Sequence, residues 1–139
     1  MKEIFWDGRL ETGHAVIDAD HKNLIHLYNQ VVSVANHQAG KLVCNNVLDR
    51  LIEHAKAHFE WEERLMIEYA YPEKEQHIAQ HEALIRQAMN YRLDPGSSDS
   101  RMPLVELSEH WLTHHMVTAD QQLTSYLAAV VPSGGATDT

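Results

Sequence analysis

The sequence predicts an all-α protein, an antiparallel up-down four-helix bundle with an extended N-terminal arm. Four segments repeat apolar residues at helical spacing, and short breaks containing Gly or Pro separate them. No segment alternates apolar and polar residues over a length that favours a strand. Short connections between amphipathic helices favour antiparallel neighbours, which is the arrangement of an up-down bundle.

The arm and the first helix come first in the chain. Residues 1–17 lack helical periodicity and are predicted to form the arm, with Gly8 and Gly13 as hinges. The first helix is expected to begin near Asp18, a good N-cap residue, and to close at Gly40. Its predicted inner face carries Leu24, Tyr28, Val31 and Ala35.

Three further helices are predicted over residues 42–70, 73–93 and 102–131. Pro72 marks the break between the second and the third, because proline suits the first turn of a helix. The Pro- and Gly-containing loop 94–98 separates the third from the fourth. We therefore expect one folded domain over residues 1–131. Residues 132–139 are predicted to form a flexible tail or linker.

Composition limits the classes of partner. The chain has 11 Lys+Arg against 20 Asp+Glu and a net charge of -9, which disfavours nucleic acid and anionic membrane surfaces. The single cysteine, Cys44, cannot form an intrachain disulfide and is expected to be a buried small hydrophobe. Without a signal-peptide pattern or a stretch of about 18 apolar residues, the sequence predicts a cytoplasmic location.

Histidine is the compositional outlier, with 11 copies. His58 and Glu62 are four residues apart on the second helix, and His77 and His81 are four apart on the third. Side chains at this spacing lie on one helical face, and both pairs continue the apolar stripes of their helices. Each pair is therefore predicted to point into the bundle. His21 lies on the inner stripe of the first helix.

The fourth helix adds His115 and Asp120. A step of five residues turns about 140° around an ideal helix, so the two are poorly placed for one metal ion. Asp120 would have to reach a second ion, or the helix would have to widen locally. Five imidazoles and two carboxylates are too many ligands for one ion, which predicts two ions bridged by the carboxylates. Imidazole-rich ligation without thiolate favours Fe, while Zn, Cu or Mn stay chemically allowed.

Trp6 and four motifs together point to a known family: G-H-A-V-I-D-A-D-H from Gly13, H-F-E-W-E-E from His58, H-I-A-Q-H from His77 and W-L-T-H-H-M-V-T-A-D from Trp111. On these residues, the chain resembles a bacterial hemerythrin-like domain over roughly residues 6–127. The resemblance implies two Fe ions joined by an oxo or hydroxo bridge and by Glu62 and Asp120. One ion would take His77, His81 and His115. The other would take His21 and His58 and keep a position open for O2. Residues implied for the O2 pocket are Trp111, Leu112 and Met116.

The remaining candidate side chains have ordinary explanations. His54 lies closer to the inner stripe, and it is expected as readily to be packed or hydrogen-bonded to the site as to be solvated. Tyr28 and Tyr69 are expected in the core. A solvated position is predicted for Glu60 and Glu63. The histidines expected at the surface or in the arm are His14, His26, His37, His110 and His114.

The resemblance implies reversible O2 binding, which we expect to serve O2 or redox sensing within a larger protein. The polar, Gly-containing tail after Pro132 favours a C-terminal signalling output domain as the partner. The alternatives are a free-standing O2 carrier, a di-iron oxidase or peroxidase, and a metal store. The only Glu-x-x-His, at Glu11 and His14, lies in the arm, so the carboxylate-rich ligation of di-iron oxidases is not matched and O2 binding is favoured over catalysis.

Overall fold

The computed structural model describes residues 3–37, 40–90 and 113–130. Within these ranges the chain forms four helices and no strand, so the predicted all-α bundle is confirmed. The fourth helix, α4, is described over residues 113–130. Residues 102–112, which the sequence predicts to begin this helix, lie outside the described ranges, as do the predicted loop 94–98 and the predicted tail. The other three helices are α1 (Ala15–Asn36), α2 (Lys41–Glu68) and α3 (Lys74–Met89).

The start of α1 differs from the prediction, because Asp18 lies inside its first turn and His14 is the N-cap. The imidazole Nδ1 of His14 accepts the backbone N–H of Ile17 at 3.4 Å. The carboxylate of Asp18 instead accepts the backbone N–H groups of Thr12 and Gly13 at 2.9 and 3.1 Å. Asp18 thus ties the arm to the helix rather than beginning the helix.

The end of α1 also differs from the prediction. The helix ends at Asn36, and Gly40 is the N-cap of α2. The carbonyl of Gly40 accepts the backbone N–H of Cys44 at 3.0 Å, the first hydrogen bond of the α2 ladder. A connection of so few residues makes α1 and α2 antiparallel neighbours.

Ala70 ends α2 in the left-handed region, with a φ of 51°. The backbone N–H of Tyr71 donates to Met66 O at 2.9 Å, and that of Ala70 donates to Ile67 O at 3.3 Å. These two bonds form a Schellman motif, whose left-handed position is usually glycine. Pro72 follows in the turn, two residues before α3 begins.

Replacing Ala70 by glycine is expected to stabilise the protein by about 0.5–1 kcal/mol, because glycine adopts this φ without steric cost. The free energy of unfolding in urea is the measurement. The matched control is Ala128→Gly, an exposed position inside α4, where the same change should destabilise by about 1 kcal/mol. Equal destabilisation by both substitutions would contradict the prediction.

The buried apolar side chains form two clusters along the bundle. One contains Leu24, Ala55, Phe59 and Met116, and the other contains Ile17, Met66, Tyr71, Leu123 and Leu127. On each helix, a predicted ligand lies in sequence between members of the two clusters. The polar site is therefore enclosed by apolar layers on both sides. Buried Tyr28 and Cys44 belong to the first cluster, as predicted.

The arm follows the outside of the bundle. Ile4 pairs with the Asn29 side chain through two hydrogen bonds of 2.8 Å. Leu10, in a 3-10 turn at Gly8–Leu10, is fully buried. The Gln121 amide donates to Arg9 O and Glu11 O. The arm is thus anchored to α1 and α4. In the described part of the chain, no helix combines the length and the apolar character needed to cross a bilayer.

Candidate metal centre

The structure brings all seven predicted ligand side chains together inside the bundle, each at most 5% exposed. They form two groups of convergent ligand atoms that share Glu62. In the larger group, the ligand atoms of His77, His81, His115, Glu62 and Asp120 lie within 4.8 Å of one another. The smaller group consists of His21, His58 and Glu62.

Glu62 divides its two oxygens between the groups. Its Oε1 lies 3.3 Å from His77 Nε2 and 3.1 Å from His81 Nε2. Its Oε2 lies 2.9 Å from His58 Nε2 and 3.9 Å from His21 Nε2. One carboxylate therefore faces both groups at once, which is the arrangement of a bridging ligand.

Asp120 divides its oxygens in the same way. Oδ1 lies 3.1 Å from both His77 Nε2 and His115 Nε2, whereas Oδ2 lies 3.0 Å from His21 Nε2. A π-helical turn at Met116–Asp120 makes this placement feasible. Its hydrogen bonds run from i to i+5, so a five-residue step makes about one turn and brings Asp120 back over His115. The local widening that the sequence required of α4 is thus present.

Several of these atoms are close without being hydrogen-bonded. Buried ligand atoms without any hydrogen-bond partner include His58 Nε2, His81 Nε2, His115 Nε2, Glu62 Oε2 and Asp120 Oδ1. Burying unpaired polar atoms is costly, and here their lone pairs converge on shared points rather than on one another. A cation at each point would satisfy all of them. The donor set, imidazole and carboxylate, fits iron.

Three of the imidazoles are held from behind by a polar side chain. His58 Nδ1 donates to Asp20 at 2.7 Å, His81 Nδ1 to Glu63 at 2.9 Å, and His115 Nδ1 to Gln80 at 3.1 Å. With the proton on Nδ1, the Nε2 lone pair points to the centre, and a carboxylate partner makes the ring more basic. The prediction that Glu63 is solvated was wrong, because its side chain reaches across the α2–α3 interface.

Sequence reasoning did not assign a role to Asp20 or Gln80. Asp20 directly precedes His21, and Gln80 directly precedes His81, so adjacency to a ligand was the one available signal. Adjacent helical residues point about 100° apart. Each therefore reaches the ligand of a neighbouring helix instead of its own neighbour in sequence, and that pairing depends on the packing.

The carboxylates raise the pKa of two ligand histidines. Burial alone would lower the pKa of His58 and His77, but the close carboxylates of Glu62 and Asp120 and their negative charge raise both to about 9. Burial would raise the pKa of Glu62 and Asp120, yet close contact with the surrounding histidines keeps both below their ordinary values. In the metal-free protein, these histidines therefore tend to hold protons at the positions where a metal would bind.

The free energy of unfolding of the metal-free protein should fall as pH rises from about 6.5 towards about 9. The folded state keeps protons on His58 and His77 in this window, whereas the unfolded chain releases them. A second fall is expected below about pH 4, where the unfolded carboxylates gain protons first. Urea unfolding between pH 3 and 10 with chelator present measures both. Stability that stays flat between pH 6.5 and 9 would contradict the prediction.

The other candidate residues are placed as follows. Met116, predicted for the O2 pocket, is buried at 1%, while Trp111 and Leu112 lie outside the described residues, as does His110. His54 is half-buried and does not hydrogen-bond the ligands. Tyr69 is half-buried and packs against the second apolar cluster. Exposed positions are found for Glu60, His26, His37 and His114.

Comparison with known proteins agrees with this geometry. Residues 12–127 match the model of the hemerythrin HHE cation binding domain. Bacteriohemerythrin from Stenotrophomonas maltophilia is 29% identical, covering 93% of this chain and 84% of its own length. The bacteriohemerythrins of Pseudomonas aeruginosa and Ralstonia nicotianae are 28% and 30% identical, over 86% and 92% of this chain and 78% and 91% of their own lengths. No solved structure gave a significant match.

The family model covers most of the chain, and its span includes every residue of the two ligand groups. The fold, the buried His, Glu and Asp cluster and the relatives agree with one another. The chain therefore belongs to the hemerythrin family.

Proposed function

We propose that the protein binds O2 reversibly at a centre of two non-haem iron ions. The observation that carries this proposal is the division of each carboxylate, Glu62 and Asp120, between two groups of imidazoles. His77, His81 and His115 would hold one iron and His21 and His58 the other, with an oxo or hydroxo bridge between the ions. When bound, a pair of ferrous ions supplies two electrons to O2.

The asymmetry of the imidazoles supports a single open position. Three imidazoles face one end of the carboxylate pair and two face the other, so the His21–His58 side has room for a further ligand. Asp20 and Glu63 hold His58 and His81 in orientation on either side. Met116 and the two apolar clusters exclude water, which disfavours the release of charged oxygen species.

Reversible binding is tested by reducing the iron-loaded protein without O2 and then admitting O2. We expect a visible absorption band that disappears when O2 is removed and returns when it is restored. A band that does not reverse would refute simple binding. Turnover of peroxide or ferrous iron far beyond one equivalent per site would instead favour the oxidase or peroxidase alternative.

We further propose that the bound state is read as an O2 or redox signal. α4 carries both His115 and Asp120 and continues to Val130, so a shift at the centre would move the C-terminal end of the bundle. A C-terminal output domain is the expected receiver. The O2-carrier alternative is supported by the extent of the match, because the chain covers 78% to 91% of the length of relatives such as the bacteriohemerythrins.

Hydrogen exchange separates these two uses. If the protein is a sensor, O2 binding should change the hydrogen exchange rates of the backbone amides between residues 121 and 130. A carrier should change exchange only around the ligands. An O2-independent exchange pattern in Gln121–Val130 would remove the support for sensing.

A further inference from the structure

A surface cavity of about 270 Å³ opens between α1 and α2 beside His58. Its wall includes the edge of His58 itself, together with Asp20, His54, Trp61 and Arg64. The cavity thus connects solvent with an imidazole that belongs to the smaller ligand group.

Aromatic rings line the way from this cavity to the centre. Trp61 stacks on His58, with an angle of 24° between the planes and 6.3 Å between the ring centroids. His14 packs with its edge against Trp61 at 5.9 Å. The half-buried indole therefore provides a flat face at the cavity and a π-system in contact with a ligand of the centre.

The polar groups of the cavity favour an anion. Asp20 already accepts the Nδ1–H of His58 at 2.7 Å. Arg64 has no ion-pair partner among the described residues. Nε2 of His54 is buried without a hydrogen-bond partner. A guanidinium without an acceptor and a ring nitrogen that can carry a proton suit a small ligand with anionic oxygens.

The proposed function creates a need for such a ligand, and this inference rests on that function. Reversible binding returns the electrons to the irons when O2 leaves, but a centre whose oxygen leaves in reduced form stays ferric and must be reduced before it binds O2 again. The ligand side chains are at most 5% exposed, so a reductant in solution has almost no direct access to the metals. Electrons must therefore enter through a side chain that reaches the surface.

We propose that this cavity binds a small, planar, anionic reductant of the enediolate class and passes its electrons to the centre through His58 and Trp61. In its singly deprotonated form, the reductant loses two electrons and the one remaining enediol proton, and both enediol C–O bonds become carbonyls. With two ferric ions held by the ligand groups, the two electrons would suffice to make both ferrous. The proton leaves to solvent, to which the cavity is open.

A second cavity, beside His81, provides a comparison. It measures about 470 Å³ and is lined by two cations, Lys56 and Arg86, and by three acids, Glu60, Glu63 and Glu82. Its carboxylates outnumber its cations, so it disfavours an anion. Arg86 is therefore a matched control for Arg64: the same residue type beside a different ligand histidine.

The test uses ascorbate as the probe on the full chain. Zinc-loaded protein, which is redox-inert, is titrated while the indole N–H signals are followed by NMR. We expect the Trp61 signal to shift to saturation and the Trp6 signal to stay unchanged. Arg64→Gln should weaken this binding about tenfold, the loss of one charge-assisted contact, while Arg86→Gln should not.

The same variants, loaded with ferric iron, are then reduced by ascorbate and by cationic hexaammineruthenium(II). Reduction by ascorbate should saturate and should slow about tenfold in Arg64→Gln at low ascorbate, whereas reduction by the cation should not slow. Equal rates in Arg64→Gln and Arg86→Gln, or an unshifted Trp61 signal, would overturn the proposal. Loss of reversible O2 binding with the NMR result intact would refute the proposed function alone.

Discussion

Glu62→Ala is expected to lose most of the bound iron. This carboxylate is fully buried, lies 3.3 Å or less from three ligand imidazoles and faces both ligand groups. Its removal takes a ligand from both ions and leaves two clusters of imidazoles without the negative charge that offsets the cations. We expect iron to fall from two ions per chain to well below one, measured by elemental analysis after loading and desalting.

Two variants on the same helix calibrate this result. Glu60→Ala removes an exposed carboxylate two residues earlier and should keep full iron content. Glu63→Gln keeps the shape of the side chain behind His81 but weakens its support, so iron affinity should fall by about 10–100-fold. Full iron in Glu62→Ala, or an equal loss in Glu60→Ala, would refute the assignment of Glu62 as the shared ligand.

Helical spacing was sufficient to predict the burial of most of the candidate ligands. His58 and Glu62, and His77 and His81, each continue an apolar stripe, so their burial followed from the same periodicity that predicted the helices. A side chain on the inner stripe of a bundle has only the interior to face. Predicting that these side chains face the interior required no knowledge of how the helices pack.

The errors arose where a side chain acts across elements. Asp18 was placed at the start of a helix because its residue type caps helices, but it binds the arm through Thr12 and Gly13. Glu63 was expected in solvent, although packing of α3 brings His81 within 2.9 Å of it. Such pairings depend on interhelical rotation, which a single sequence does not encode locally.

A one-residue insertion in the π turn is expected to be severe, whereas a one-residue deletion should be tolerated. The turn at Met116–Asp120 holds one residue more than an α turn. Deleting exposed Thr118 restores α-helical spacing, leaves the aspartate four residues after His115 and keeps the downstream helix in phase. An alanine inserted after Thr118 rotates everything beyond it by about 100°.

This rotation would turn the aspartate away from the centre and carry Leu123 and Leu127, which are 0% and 2% exposed, out of the core. Displacing each leucine costs about 2–5 kcal/mol, which together approaches the whole stability of a domain. Urea unfolding and iron content measure both effects, and Thr118→Ala controls for the lost hydroxyl bond to His114 O. If the deletion proved as damaging as the insertion, the π turn could not be regarded as an α-helical turn with one extra residue. The approach of Asp120 to His115 would then have to be explained in another way.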